Sequence, residues 1–529
     1  MTVQKTKIWL PLILSITLII GMLFGYKLKE NMGDFAPSFA SLNNQVKLNE
    51  LLDLIDRKYV DSVSFDSLQQ KTIQTIISEL DPHSIYIPAE EVNGMNEELD
   101  GNYHGIGVQF DLFNDTVHIL SVMKGSPAAM SGLQPADKII KVDSFNIAGV
   151  HINEGRVQHL VKGEKGTTVM LVIQRNNKTF SVSLKRNRIK STNIDAAFFI
   201  EPGIGFIRIN KFSGNTYEEF MEHLERMKNE GMQKLILDLR DNGGGMLDDA
   251  IEIADEFISG NKQIVSTKGY NVAEQIISAR RPGLFEEGKL VLLINENSAS
   301  ASEVLAGALQ DWNRATIIGR RSFGKGLVQE QFSLSDGSAI RLTVARYYTP
   351  VGRSIQKPYK HGVDTGYTQE ISQRIKNGNI LRDHENSHVG KVFKLQDGRT
   401  LYSEEGIAPD IFVPIDSMRW LLSDRVPDIQ DKITVSGLRY YTTHAQQLRH
   451  LKQLSDLKVF LSKDPSVDIL MNLWCQSLPS GVNISRCKEL FFSDFEDFLS
   501  WMIWHQEGYF RSLIAKEPVV LEALSVIRN

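Results

Sequence analysis

"KLILDLRDNGGGMLDDAIEIADEFI", Lys234 to Ile258, and "KLVLLINENSASASEVLAGALQDW", Lys289 to Trp312, share one plan. Each begins with an apolar run, turns through small residues, and continues with the spacing of an amphipathic helix; Val304, Leu305, Ala308, Leu309 and Trp312 mark it in the second. Apolar runs that do not alternate are the mark of parallel strands buried on both faces. "GIGFIRIN" from Gly203 and "TYEEFMEHLERMKNEG" from Thr216 add another strand and helix, so residues 204–414 predict an α/β core with parallel strands. "KGLVQEQFSLSDGSAIRLTVARYYT" then reads as a hairpin turning at Asp336-Gly337.

The texture changes on either side. Residues 43–80 carry helical stripes (Leu48, Leu51, Leu52, Ile55, Tyr59), ended by "DPHSIYIP", Asp81 to Pro88. Residues 101–186 hold short β-like runs near Val108–Phe113, Val117–Val122 and Lys138–Val142, with a short helix at Ala128–Ser131. Residues 359–397 are polar and predict an irregular surface loop. Residues 417–529 turn helical and aromatic-rich, and are expected either to pack on the core or to mediate assembly with a second copy or an adaptor.

At 529 residues the chain has room for several domains. A formal charge of -5 without a basic stripe gives nucleic-acid binding no support. Ile8 to Tyr26 is free of charged residues and long enough to span a bilayer core of about 30 Å. No small-residue cleavage pattern follows it, so it predicts a retained signal anchor, with the bulk of the chain outside the cytoplasm. Cys475 and Cys487 are the two cysteines. A local disulfide and two buried thiols fit equally, and no ligand cluster accompanies them, so no metal is expected.

Chemistry concentrates in three turns. Ser298, Ser300 and Ser302 lie where a buried strand passes into a helix, the edge at which α/β proteins place their sites. A plain helix cap would use the same residues. Gly243, Gly244 and Gly245 form the equivalent turn after Lys234–Arg240. Two such turns side by side can aim backbone N–H groups at one oxyanion, although a mere flexible connection looks the same. "GRRSFGKG", Gly319 to Gly326, imitates a phosphate-binding loop but lacks the following Ser or Thr, and a β-rich run follows where a helix is required. Nucleotide binding is therefore rejected. A lysine serves as a general base when burial brings its pKa down, and period-two spacing puts Lys325, Leu327 and Gln329 on one face. With no G-x-S-x-G elbow and no histidine inside these turns, serine with lysine as base remains.

"SASASEVLAGALQD", "RRSFGKGLVQ", "DGSAIRLTVARYYTPVGRSI" and "EEGIAPD" together closely resemble the carboxyl-terminal processing peptidases, or tail-specific proteases, over residues 80–414. The resemblance implies a multidomain α/β protein: a protease core related to the crotonase and ClpP folds at 188–416, with a PDZ domain inserted at 96–187. Around these the sequence places a cytoplasmic tail (1–7), a transmembrane anchor (8–26), an N-terminal helical region (27–95) and a C-terminal helical region (417–529). By the same resemblance Ser300 is the nucleophile, Lys325 the base and Gln329 its partner, with the amides of Ala301 and of Gly243 or Gly244 forming the oxyanion hole. The family often has proline where Gly243 stands and commonly Thr where Ser322 stands. "GIGV" matches a carboxylate-binding loop (Gly105, Ile106, Gly107, Val108), with Ile106, Val108 and Leu160 framing a pocket for the terminal side chain. The implied function is an envelope serine endopeptidase, without cofactor, acting on proteins with apolar C-terminal tails. A membrane-anchored PDZ adaptor with an inactive core is the alternative.

Overall fold

The structure is a computed structural model describing residues 39–529 apart from 361, 363–364, 379, 382–389, 396, 417–428 and 479–482, with side-chain exposure from Lys47 onward. The proposed anchor at 8–26 lies outside the described residues, among which no helix is long and apolar enough to cross a membrane. The chain divides into an N-terminal unit ending at Ile73 and a main body from Gln74 to Asn529. The helices Phe39–Lys58 and Phe65–Ser78 form where the stripes predict them.

The two apolar runs become neighbouring strands. Lys234–Asp238 pairs in parallel with Lys289–Ile294 at the centre of a six-stranded sheet. Ile204–Ile209 flanks one side and Thr316–Gly319 the other, both parallel, while Ile194–Glu201 and Ile411–Phe412 are the edges. Burial on both faces explains the missing alternation. Leu235, Leu237 and Leu292 pack beneath the helices Thr216–Asn229, Leu247–Asp255 and Ala301–Asp311. Ile236, Val291 and Leu293 face the opposite way, onto Val520, Ala523 and Ile527 of the last helix, Pro518–Arg528. Each such side chain contributes about 1.5–3 kcal/mol by leaving water. The C-terminal region therefore packs on the core.

A second, antiparallel sheet is organised around Ala339–Tyr348, which pairs with Leu327–Ser333 through the hairpin at Asp336-Gly337. Gln263–Lys268 and Ile85–Ile87 also pair with it. "DPHSIYIP" thus ends by laying a strand on the protease sheet. The sequence did not reveal Gln263–Lys268 or its partner Gln275–Ser278. Residues 359–397 also differ from expectation: Thr365–Lys376 is helical, and Val392–Lys394 pairs with Thr400–Tyr402. The polar residues read as a solvated loop are used internally. Arg374 is buried and donates to the carbonyl oxygens of Arg321 (3.3 Å) and Ser322 (3.0 Å) in the "GRRSFGKG" loop.

The strands between Val108 and Lys185 form a sheet with its own core of Val117, Ile119, Ile139, Leu171 and Ile173. Its outer face is covered by the C-terminal helices Ile429–Leu448, Leu454–Lys463, Pro465–Gln476 and Ile484–Ile514; Phe113 and Leu120 join Phe491, Phe495 and Leu499 in one cluster. The longest helix breaks at His505 (φ 59°, ψ -151°). Beyond the break, Phe510 and Ile514 join the cluster under the main sheet. Cys475 and Cys487 are free thiols.

Candidate active site

Ser300 ends the turn after Lys289–Ile294 and caps the helix Ala301–Asp311. Its backbone stands at φ 57°, ψ -115°, a conformation that costs a residue with a Cβ about 1–3 kcal/mol. The strain is held by a lattice of bonds between the two turns that the sequence singled out. Asn242 O accepts from Ala299 N (3.0 Å) and from Ser302 Oγ (2.9 Å), and Ser298 Oγ donates to Leu239 O (2.8 Å). Glu303 Oε2 accepts the Ser300 N–H (2.9 Å).

Gly244 shows why that neighbouring turn is glycine-rich. At φ 96° a Cβ there would stand 2.7 Å from the Cβ of Ser300 and 2.9 Å from Ala301 N. The turn is pressed against the serine. The Gly244 amide, however, donates to Asn242 Oδ1 at 2.8 Å. Of the two glycines named from the sequence, Gly243 therefore keeps its N–H available; neither it nor the Ala301 N–H is taken by another described residue. Both residues line the cleft that contains Ser300.

Lys325 lies in the loop just ahead of the strand Leu327–Ser333, and its Nζ donates to Gln329 Oε1 at 2.9 Å. The pairing with Ala339–Tyr348 slips between Val328 and Gln329, with the extra residue, Val344, on the partner strand. Burial pushes the Lys325 pKa down, and the Arg341 guanidinium adds to the effect; Glu303 and Asp81 pull the other way. Gln329 is aimed from behind, its Nε2 donating to the His83 carbonyl oxygen at 2.5 Å. That carbonyl belongs to "DPHSIYIP", whose turn is built on Asp81: its Oδ1 accepts from His83 N and Ser84 N at 2.9 Å each.

Glu303 fastens serine and lysine turns together. It is fully buried and accepts from the backbone N–H groups of Ser300, Gly324 (2.7 Å) and Lys325 (2.8 Å), and from the Ser322 hydroxyl. Burial raises its pKa to about 6, against the lowering effect of those bonds. Tyr347 closes the back: its hydroxyl donates to the Lys325 carbonyl oxygen. The sequence reading missed His83, Glu303 and Tyr347. The capping spacing S-x-x-E at Ser300–Glu303 was the one available signal. Ser300, Ala301, Gly243, Gly244, Lys325 and Gln329 meet in a cleft of about 850 Å³, to which Met95, Leu99, Met246 and Leu247 add an apolar wall.

A second groove, of about 550 Å³, contains Gly105, Ile106, Gly107 and Val108. Gly107 (φ 78°) admits no Cβ, which would meet Ser126 Cβ at 2.3 Å. The amides of Ile106 and Gly107 donate to no other described residue. Leu160 is not among the residues that line this groove. Glu154, Gln158 and Val161 of the helix Glu154–Val161 line the groove, while Leu160 is half-buried against the domain core, of which Val161 is also part. Positions i, i+4 and i+7 share a helical face, and a residue two beyond Gln158 lies on the other side.

Comparison with known proteins fits both regions. Residues 203–368 match the model of peptidase family S41, and residues 105–185 match a PDZ domain. A probable CtpA-like serine protease of Staphylococcus epidermidis is 34% identical over 354 residues, 66% of this chain and 70% of its own. One from Staphylococcus aureus is 35% identical over 320 residues, 60% of this chain and 63% of its own. A solved photosystem II D1 C-terminal processing protease aligns with 70% of this chain and 93% of its own at 24% identity, but its TM-score of 0.36 is too low to transfer geometry. The chain belongs to peptidase family S41, as a CtpA-like serine protease with a PDZ domain.

Proposed function

We propose that the protease works through a Ser300–Lys325 dyad, with Gln329 orienting the lysine. The observation that carries this reading is the half-buried Lys325, its pKa pushed down and one N–H given to Gln329 Oε1. A neutral amine held in this way turns its lone pair toward the proton it takes. Ser300 Oγ attacks the scissile carbonyl carbon as its proton passes to Lys325 Nζ. The oxyanion is met by the N–H groups of Ala301 and Gly243, each worth about 3 kcal/mol in the transition state. Lys325 then protonates the leaving amine, and water hydrolyses the acyl-enzyme. Substrate tails are read by the second groove: the open amides of Ile106 and Gly107 take the terminal carboxylate, and an extended peptide adds to the free edge of Val108–Phe113.

The test is degradation of an unfolded protein with an apolar C-terminal tail by the wild type, Ser300→Ala and Lys325→Ala. Both variants should lose about 10²–10⁴-fold or more in kcat while still binding the tail. Undiminished cleavage by either overturns the dyad.

A further inference from the structure

The peptide groove contains one residue from far outside the PDZ domain: Trp501, on the C-terminal helix Ile484–Ile514. Its position follows from how the sheet is used. Among the described residues Val108–Phe113 pairs only with Thr116–Val122, so its other edge is open to an added strand. Along this strand Val108, Phe110 and Leu112 pack toward the domain's own core. Gln109, Asp111 and Phe113 point to the opposite face, because side chains alternate along a strand. In a free-standing sheet domain that face would meet water. Here the C-terminal bundle covers it, with Phe113 and Leu120 buried in the bundle's cluster and Trp501 packed against that cluster. Ser121 Oγ lies 3.3 Å from His505 Nδ1 at the break in the helix, and Arg449 donates to Gln134 Oε1 at 3.1 Å. The indole thus lines the groove together with Gln109 and Asp111.

A tail added to the open edge continues the alternation. Its carboxylate lies at the Ile106–Gly107 amides and its last side chain points toward the domain core. The penultimate side chain then points to the other face, at Trp501. We propose that Trp501 is a specificity-determining residue, through which the C-terminal helical region selects tails with a bulky uncharged penultimate side chain. Packing on the indole favours an aromatic or large apolar group, glycine leaves the space unfilled, and Asp111 opposes an acidic one. This rests on the tail-binding reading given above.

The experiment uses the full chain carrying Ser300→Ala, so that peptides are bound without cleavage. Fluorescence polarisation compares labelled peptides ending Phe-Val, Gly-Val and Asp-Val, each with a free and an amidated terminus. Phe-Val should bind about threefold to tenfold more tightly than Gly-Val, with Asp-Val weakest. Adding Trp501→Ala should bring Phe-Val and Gly-Val within about twofold while leaving Gly-Val binding in place. Should that variant unfold by circular dichroism, Trp501→Leu, which keeps apolar bulk toward the bundle, decides by the same loss of preference. If amidation leaves binding unchanged, the tail-binding reading falls and this inference with it. If binding needs the free carboxylate but the preference survives at position 501, or never existed, the inference alone is overturned.

Discussion

Lys325 and Glu303 were not equally visible in the sequence, although both decide the same site. Lys325 announced itself through the glycines around it and the absence of a P-loop helix after it. Glu303 drew no reading from the sequence, because its hold on Ser300, Gly324 and Lys325 exists only once two distant turns are folded together. The depressed Lys325 pKa has a direct consequence. Only the neutral amine accepts the Ser300 proton, so kcat should rise with pH through that lowered pKa and level off once the amine is deprotonated. The acid limb should thus stand below the ordinary lysine range. Lys325→Arg, always protonated, should lose about 10²–10⁴-fold at every pH. A kcat–pH profile of wild type and variant checks both, and a wild-type limb at or above pH 10.5, the ordinary lysine value, would contradict the burial argument.

Among the elements, the central strands were legible because two-sided burial writes a continuous apolar run, a local signal that needs no partner to be read. The helix Thr365–Lys376 was not, because its apolar stripe is limited to Tyr367, Ile371 and Ile375 and its polar residues are stabilised by groups distant in sequence. Arg374 spans from that helix to the carbonyl oxygens of Arg321 and Ser322 and pairs with Glu370, while Lys357 lies 4.0 Å from the Phe323 ring centroid. These contacts brace the loop that carries Lys325. Arg374→Ala should therefore lower kcat about tenfold to a hundredfold by letting the lysine drift, since small misplacements cost that much. Tail-peptide affinity should be unaffected, because the peptide groove is built from other elements. Measuring kcat alongside peptide binding separates the two; equal loss of both would show general unfolding instead.

At the scale of the whole molecule, the C-terminal region that yielded no motif is the part that binds the others together. One broken helix covers the PDZ sheet with its first part and the main sheet with its end. Phe510 sits at that junction, buried, with the Arg208 guanidinium 4.9 Å from its ring centroid. Phe510→Ala should destabilise the main body by about 3–5 kcal/mol, the cost of a large buried cavity. Denaturant unfolding measures it, and a shift below about 1 kcal/mol would mean that this helix is only loosely attached.

By itself the sequence determined the strand–turn–helix order, the hairpin, the glycine and serine turns and the family resemblance, because each is written in residues close together along the chain. The tertiary structure alone decided that the His83 carbonyl holds Gln329. It alone brought Trp501 to the peptide groove. In each case the partner is a backbone group, or a face of an element, whose direction is set by packing rather than by composition. Hydrogen bonds and buried faces formed across long separations leave no periodic mark in the chain.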